Sequence, residues 1–190
     1  MKVAVADVQV KAVPVNGLCE FVKSDLTPAQ YQKALSSFPP EQARFLGGHL
    51  LAHEHVPLSL VNQFTVAAAE AKGEAVKEFA RRAGRYGAEQ GLKSVYKFIM
   101  MLMSIDSVLK KAPLMWTKVY DGGEMSVETF PGNSAKIHVK NFPAHPAGCG
   151  RITGWFTVIG ERAGAKNLRV SHSPCMAEGG SECIWSFLWD

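Results

Sequence analysis

Residues 171–190 read SHSPCMAEGGSECIWSFLWD, and the way this stretch turns back on itself decides the fold. Just before and into it, NLRVSHS (167–173) alternates so that Leu168, Val170 and His172 share one side. CIWSFLWD (183–190) alternates in the same way and places Cys183, Trp185, Phe187 and Trp189 together. A period of two marks a strand with one buried face. AEGGSE (177–182) joins the two runs, and its paired glycines permit a tight reversal. The expected hairpin brings His172, Cys175 and Cys183 close to one another.

Upstream, Cys149, Ile152, Trp155, Phe156 and Ile159 recur at helical spacing between Pro146 and Arg162, and Gly164 supplies a stop. Cys149 therefore begins a helix, where the helix dipole favours a thiolate. Further back, EMSVETF and AKIHVK alternate on either side of the turn Pro131-Gly132-Asn133-Ser134, which reads as another hairpin. The chain before Asp121 is helical in pattern. Thr27 with Pro28 opens one helix, PPEQARFLGG forms a short one, and a packed helix follows Pro57 as far as Lys72. From about Glu74 to Met103 the pattern fits one long helix or a broken one. Gly84, Gly87 and Gly91 fall there on one face, where another backbone could approach closely. SIDSVLKKAPLMW is a further helix with an expected kink or break at Pro113. The order of helices, hairpin, helix, hairpin gives an α+β fold. A mainly helical part (1–120) packs on a small antiparallel sheet of about four strands drawn from 121–190.

With 190 residues, 47% hydrophobic and 20% charged, the chain is expected to form a single domain over 1–190. The net charge of +4 is mild and its cations are scattered, so no nucleic-acid partner is indicated. YKFIMMLMSIDSVL is interrupted by Lys97 and Asp106 and falls short of the roughly 20 apolar residues a membrane span needs. No membrane association and a cytoplasmic location are expected. In that compartment Cys19, Cys149, Cys175 and Cys183 are thiols or metal ligands rather than a disulfide framework.

Three readings are open for the cluster. Three sulfurs and an imidazole from Cys149, His172, Cys175 and Cys183 form a tetrahedral set that suits zinc. Cys175 and Cys183 could instead be a redox pair, or the thiols could be small buried apolar residues beside a satisfied strand histidine. The spacing C-x22-H-x2-C-x7-C is not that of a zinc finger.

The run from Cys149 through GRITGWF to VSHSPCMAEGGSECIWSFLW resembles the C-terminal half of the vinyl-reductase-like (4VR) small-molecule-binding domain, which also serves as the sensor module of phenol-responsive bacterial activators. Over nearly the whole chain, SSFPPEQARFLGG, VPLSLVNQF, RYGAEQGLKSVYK, HPAGCGRITGW and VSHSPC are similar to a paralogous family of myxobacterial proteins. The resemblance implies a fold shared with vinyl-reductase-like domains, TRAPP vesicle-tethering subunits and, more distantly, heme nitric-oxide-binding domains. It also implies a zinc held by three Cys and a Glu. His172 stands at the position of that Glu, with Glu178 and Glu182 as alternatives for the fourth ligand.

Other chemistry finds little footing. His49, His53 and His55 lack the zinc-protease spacing, and the apolar segment 95–103 holds no histidine for a heme. No nucleophile elbow, P-loop or dinucleotide fingerprint occurs. The reading is therefore a non-enzymatic sensory or binding domain with a structural zinc and no heme. A small hydrophobic molecule would sit near Phe98, Met101, Met115 and Trp116, and a homodimer would form through Gly84, Gly87 and Gly91. The alternative is a dimeric adaptor of the TRAPP type, its interior filled by side chains.

Overall fold

The structure, a computed structural model, describes residues 7–92 and 103–190. β1 (Gln9–Lys11) leads into α1 (Ala12–Asp25), α2 (Pro28–Leu35) and α3 (Pro40–Leu46). β2 (His55–Pro57), α4 (Leu58–Lys72), α5 (Val76–Leu92) and α6 (Ile105–Val119) follow. The C-terminal part runs β3 (Glu124–Phe130), β4 (Ser134–Lys140), α7 (Pro146–Arg162), β5 (Arg169–His172) and β6 (Cys183–Leu188). The α+β fold expected from the two hairpins is the one observed.

The four C-terminal strands form an antiparallel sheet in the order β3-β4-β6-β5. Its register sets Ile137 opposite Trp185, Val139 opposite Cys183, and His172 opposite Trp185. Ala135, Ile137 and Val139 of β4 and Cys183, Trp185 and Phe187 of β6 are all buried, as a period of two requires of one covered face. β1 and β2 make a second, two-stranded sheet. Sequence reasoning missed it because three-residue strands are too short to show a period. HEHVP therefore contributes a strand rather than the helical turn that would align His49 with His53.

Local chemistry accounts for the helix ends. Thr27 and Gln30 form a reciprocal capping box, and Gly73 closes α4 in the left-handed conformation at φ 77°. α6 runs through Pro113 as one helix, so the chain does not break there. Its hold on the core is the reason: Leu109 and Trp116 are buried, and Trp116, Tyr120 and Phe142 stack with centroids 4.4–5.1 Å apart. Burial of this kind offsets the roughly 3 kcal/mol that an interior proline costs a helix.

α5 and α7 lie backbone to backbone. A Cβ on Gly84 would stand 2.0 Å from the Arg151 carbonyl oxygen, and one on Gly154 2.1 Å from that of Arg81. Gly87 meets Gly17 of α1 and the Trp155 indole, and Gly91 faces the same indole. The close approach read from Gly84, Gly87 and Gly91 is thus made inside the chain, and the expected dimer face is corrected to an internal helix contact.

Candidate functional site

Two features meet on α7. The first is the sulfur cluster. His145 caps α7, its Nδ1 accepting from the Ala147 amide at 3.1 Å, which fixes Cys149 in the opening turn. Cys183 opens β6. Cys175 lies between β5 and a single 3-10 turn, and its carbonyl accepts from the amides of Glu178 and Gly180. Cys175 is thereby held 3.8 Å, sulfur to sulfur, from both Cys149 and Cys183.

His172 completes the group, since all four ligand atoms lie within 4.8 Å of one another. The ring stacks on Trp185 at 4.2 Å, and neither of its buried nitrogens has a hydrogen-bond partner. A buried imidazole without a partner is costly in an apolar surrounding. The alternatives for the fourth ligand are engaged elsewhere: Glu178 faces Lys77 at 3.5 Å, and Glu182 contacts His138 at 3.1 Å. The structure therefore gathers the four residues that spacing singled out, with His172 in the fourth place.

The thiols share their charge unequally. Hydrogen bonding from Cys149, against burial and with help from the Met176 amide, pulls Cys183 down to about 4. The same bond, with burial, holds the Cys149 thiol well above its ordinary value. Hydrogen bonding within the cluster thus favours charge on the Cys183 sulfur over Cys149, where the helix dipole alone would have drawn it. A tetrahedral ion with metal–sulfur bonds of about 2.3 Å requires sulfurs about 3.8 Å apart, the spacing observed. Cys19 lies apart on α1, its thiol pushed up to about 12 by burial.

The second feature is a cavity of about 380 Å³ between α6, α7, α1 and the covered face of the sheet. Met115 and Trp116 are among its lining residues. Phe98 and Met101 lie outside the described residues. Ile152, Trp155 and Phe156 of α7 form the opposite wall. Two cations stand among these apolar groups, Lys111 at the exposed rim and, on the inner wall, Arg151, which sequence reasoning passed over. Its Nη1 donates to Thr65 Oγ1 and to the Val61 carbonyl, and its Nη2 to Asn62 Oδ1 at 2.9 Å. Burial pushes its guanidinium below the usual value. The signal was present: Arg151 stands four residues before Trp155, on the apolar stripe of α7.

No protein-family model and no curated protein matches the sequence. Solved structures do match the fold. An H-NOX protein from S. oneidensis in the Fe(II)NO ligation state superposes with a TM-score of 0.74, covering 95% of this chain and 99% of that one at 13% identity. The A71G mutant of the H-NOX protein from K. algicida, Fe(II) and unliganded, gives a TM-score of 0.73 at 12% identity over 95% and 96% of the two chains. The fold is that of the H-NOX domains.

This likeness corrects the cofactor expected from sequence, zinc without heme. The neighbours that share the fold include Fe(II) H-NOX proteins, and another was solved to probe heme distortion in the H-NOX family, so the group those proteins carry is heme and not zinc. The distant member of the three expected fold relatives is thus the one found. The residues of this chain answer that cofactor only in part. None of its six histidines lines the cavity, and 93–102, KSVYKFIMML, contains none. The iron-ligating groups that do line it are the Tyr120 phenol and the Met103, Met115 and Met125 thioethers. The described lining does not fit a heme held by histidine.

Proposed function

We propose that the chain is a non-catalytic sensory domain that takes up a small, largely apolar molecule in the cavity between α6, α7 and the sheet. One observation carries this reading: a largely apolar pocket of about 380 Å³ runs in from the surface between α6 and α7 to the buried Trp116 and Phe187. Close packing is the rule inside proteins, and a volume of this size falls at the lower end of the ~300–1,000 Å³ of small-molecule sites. The neighbours that share the fold include a protein solved with NO and another solved with CO on Fe(II), which supports small-ligand sensing as the use of this architecture. An adaptor with an interior filled by side chains is not favoured, because this interior is not filled. Among the described residues no helix is long and apolar enough to cross a membrane.

The sulfur cluster serves this reading as a clamp. Cys149, His172, Cys175 and Cys183 hold one thiophilic metal ion, closed to solvent and tying the last hairpin to the helix that walls the cavity. Titration of the purified protein with 1-aminonaphthalene-type apolar fluorophores, followed by energy transfer from the tryptophans, tests the cavity. Saturable binding at one probe per chain is expected, and no binding sinks the proposal. Elemental analysis and an absorption spectrum of the same sample test the metal ion and a porphyrin separately.

A further inference from the structure

The cavity wall carries a charge that the protein leaves unanswered. Arg151 projects from α7 toward α4, where its acceptors are a carbonyl, an amide and a hydroxyl, each of them neutral. Among the described residues the guanidinium forms no ion pair, unlike Arg82, which meets Asp25 and Glu74, or Arg85, which meets Glu161. Asn62 and Thr65, two of its three anchors, are themselves buried, so the half-buried guanidinium is held in place on α4. A cation held among apolar side chains without a counter-charge is expensive. The acidic groups near enough to feel it are Tyr120 and Cys149. Burial holds the Tyr120 phenol protonated, and the Cys149 sulfur is turned to Cys175.

The fork is also incompletely used. Three of its N–H donors are taken up on α4, and a guanidinium has five. One donor on Nε and one on Nη2 remain, the edge with which arginine grips a carboxylate through two parallel bonds. Around it the lining is almost wholly apolar, with Ile152, Phe156, Met115 and Trp116 facing the same space.

We propose that the cavity is selective for amphipathic organic acids, an apolar body filling the space and a single carboxylate pairing with Arg151. The inference rests on the cavity being a ligand site and adds the class of ligand it takes. The anion supplies the missing counter-charge, and the wall supplies the burial. Each alone is weaker: a neutral apolar molecule leaves the guanidinium unpaired, and a small inorganic anion leaves the apolar wall uncovered.

The test compares decanoic acid with 1-decanol, which match in length and differ in the head group, by tryptophan fluorescence at pH 7.5. Acid binding at least about tenfold tighter than alcohol is expected, since charge-assisted hydrogen bonds are the stronger kind. Arg151→Met should bring the acid to the affinity of the alcohol while the alcohol is little changed. Arg151→Lys, which keeps the charge and loses the fork, should retain part of the preference. Should the methionine variant not fold, the wild-type ratio decides alone. Equal affinities for acid and alcohol would overturn the selectivity and leave the cavity reading standing. Binding of neither ligand would overturn both.

Discussion

The two faces of α7 teach opposite lessons about how tightly this protein is specified. Toward α5, Gly150 and Gly154 bring backbone against backbone, so that a Cβ on either would stand 2.8 Å or less from the facing helix. Toward α6 and the sheet, the same helix presents Ile152, Trp155 and Phe156 to a space of about 380 Å³. One face tolerates no added atom and the other has room for a molecule. Rigidity on the first is what lets the second stay open, because a wall free to shift would collapse into the space.

The largest expected effect lies on the tight face. In Gly154→Ala the new methyl meets the Arg81 carbonyl and the Arg85 amide, both backbone, so the helices themselves must part. A loss of about 3 kcal/mol is expected, the upper end for overpacking, and thermal melting followed by circular dichroism measures it. A variant as stable as wild type would show that α5 and α7 are not in close contact.

Much of this was legible in advance, and the limits have physical causes. The strands showed in the period of two because each buries one face, and the cluster showed because cysteine and histidine are few. The glycine face was legible as a site of close approach but not as to its partner, since a sequence does not say which backbone arrives. Arg151 was passed over because a lone cation in a helical pattern reads as solvated until the neighbouring wall is seen. The cofactor expectation failed for another reason: it leaned on the cysteine and histidine set, on the vinyl-reductase-like resemblance and on the lack of a histidine in 95–103, whereas the likeness to H-NOX proteins, at 13% identity and below, lies in backbone course rather than in residues.

The next effect concerns the end of α7 that the sulfur cluster pins. If the four residues hold the proposed metal ion, Cys175→Ser is expected to abolish its retention and to lower the melting temperature to that of wild type treated with a chelator. An ion at about a hundred times its dissociation constant adds about 3 kcal/mol when it binds only the folded chain. Elemental analysis beside the melt checks both parts. A serine variant that keeps one ion per chain would remove Cys175 from the site.

A smaller effect comes from the cap of the same helix. Burial, with the nearby charge of Arg151, holds the His145 imidazole below its ordinary range. The neutral ring accepts from the Ala147 amide, and the protonated ring cannot. The cap's contribution is therefore complete above the unfolded value of about 6.5 and is lost as pH falls through the lower folded one. His145→Ala should cost about 1 kcal/mol at pH 8 and progressively less toward pH 5. His145→Asn, a cap without a proton to gain, should flatten that dependence. Denaturant melts at a series of pH values distinguish the two.

On the open face the expected cost is the smallest and the functional effect the clearest. Ala112 of α6 lines the cavity, so Ala112→Leu places three more carbons where the protein has none, in contrast to the single carbon that Gly154→Ala forces into backbone. Filling an apolar void restores lost dispersion contacts, and stability should change by less than about 1 kcal/mol, with either sign. Affinity for the apolar fluorophore should fall at least about tenfold, because the volume it needs is occupied. If Ala112→Leu were instead as damaging as Gly154→Ala, the two faces of α7 would be equally packed, and the space between α6 and α7 would not be a site at all.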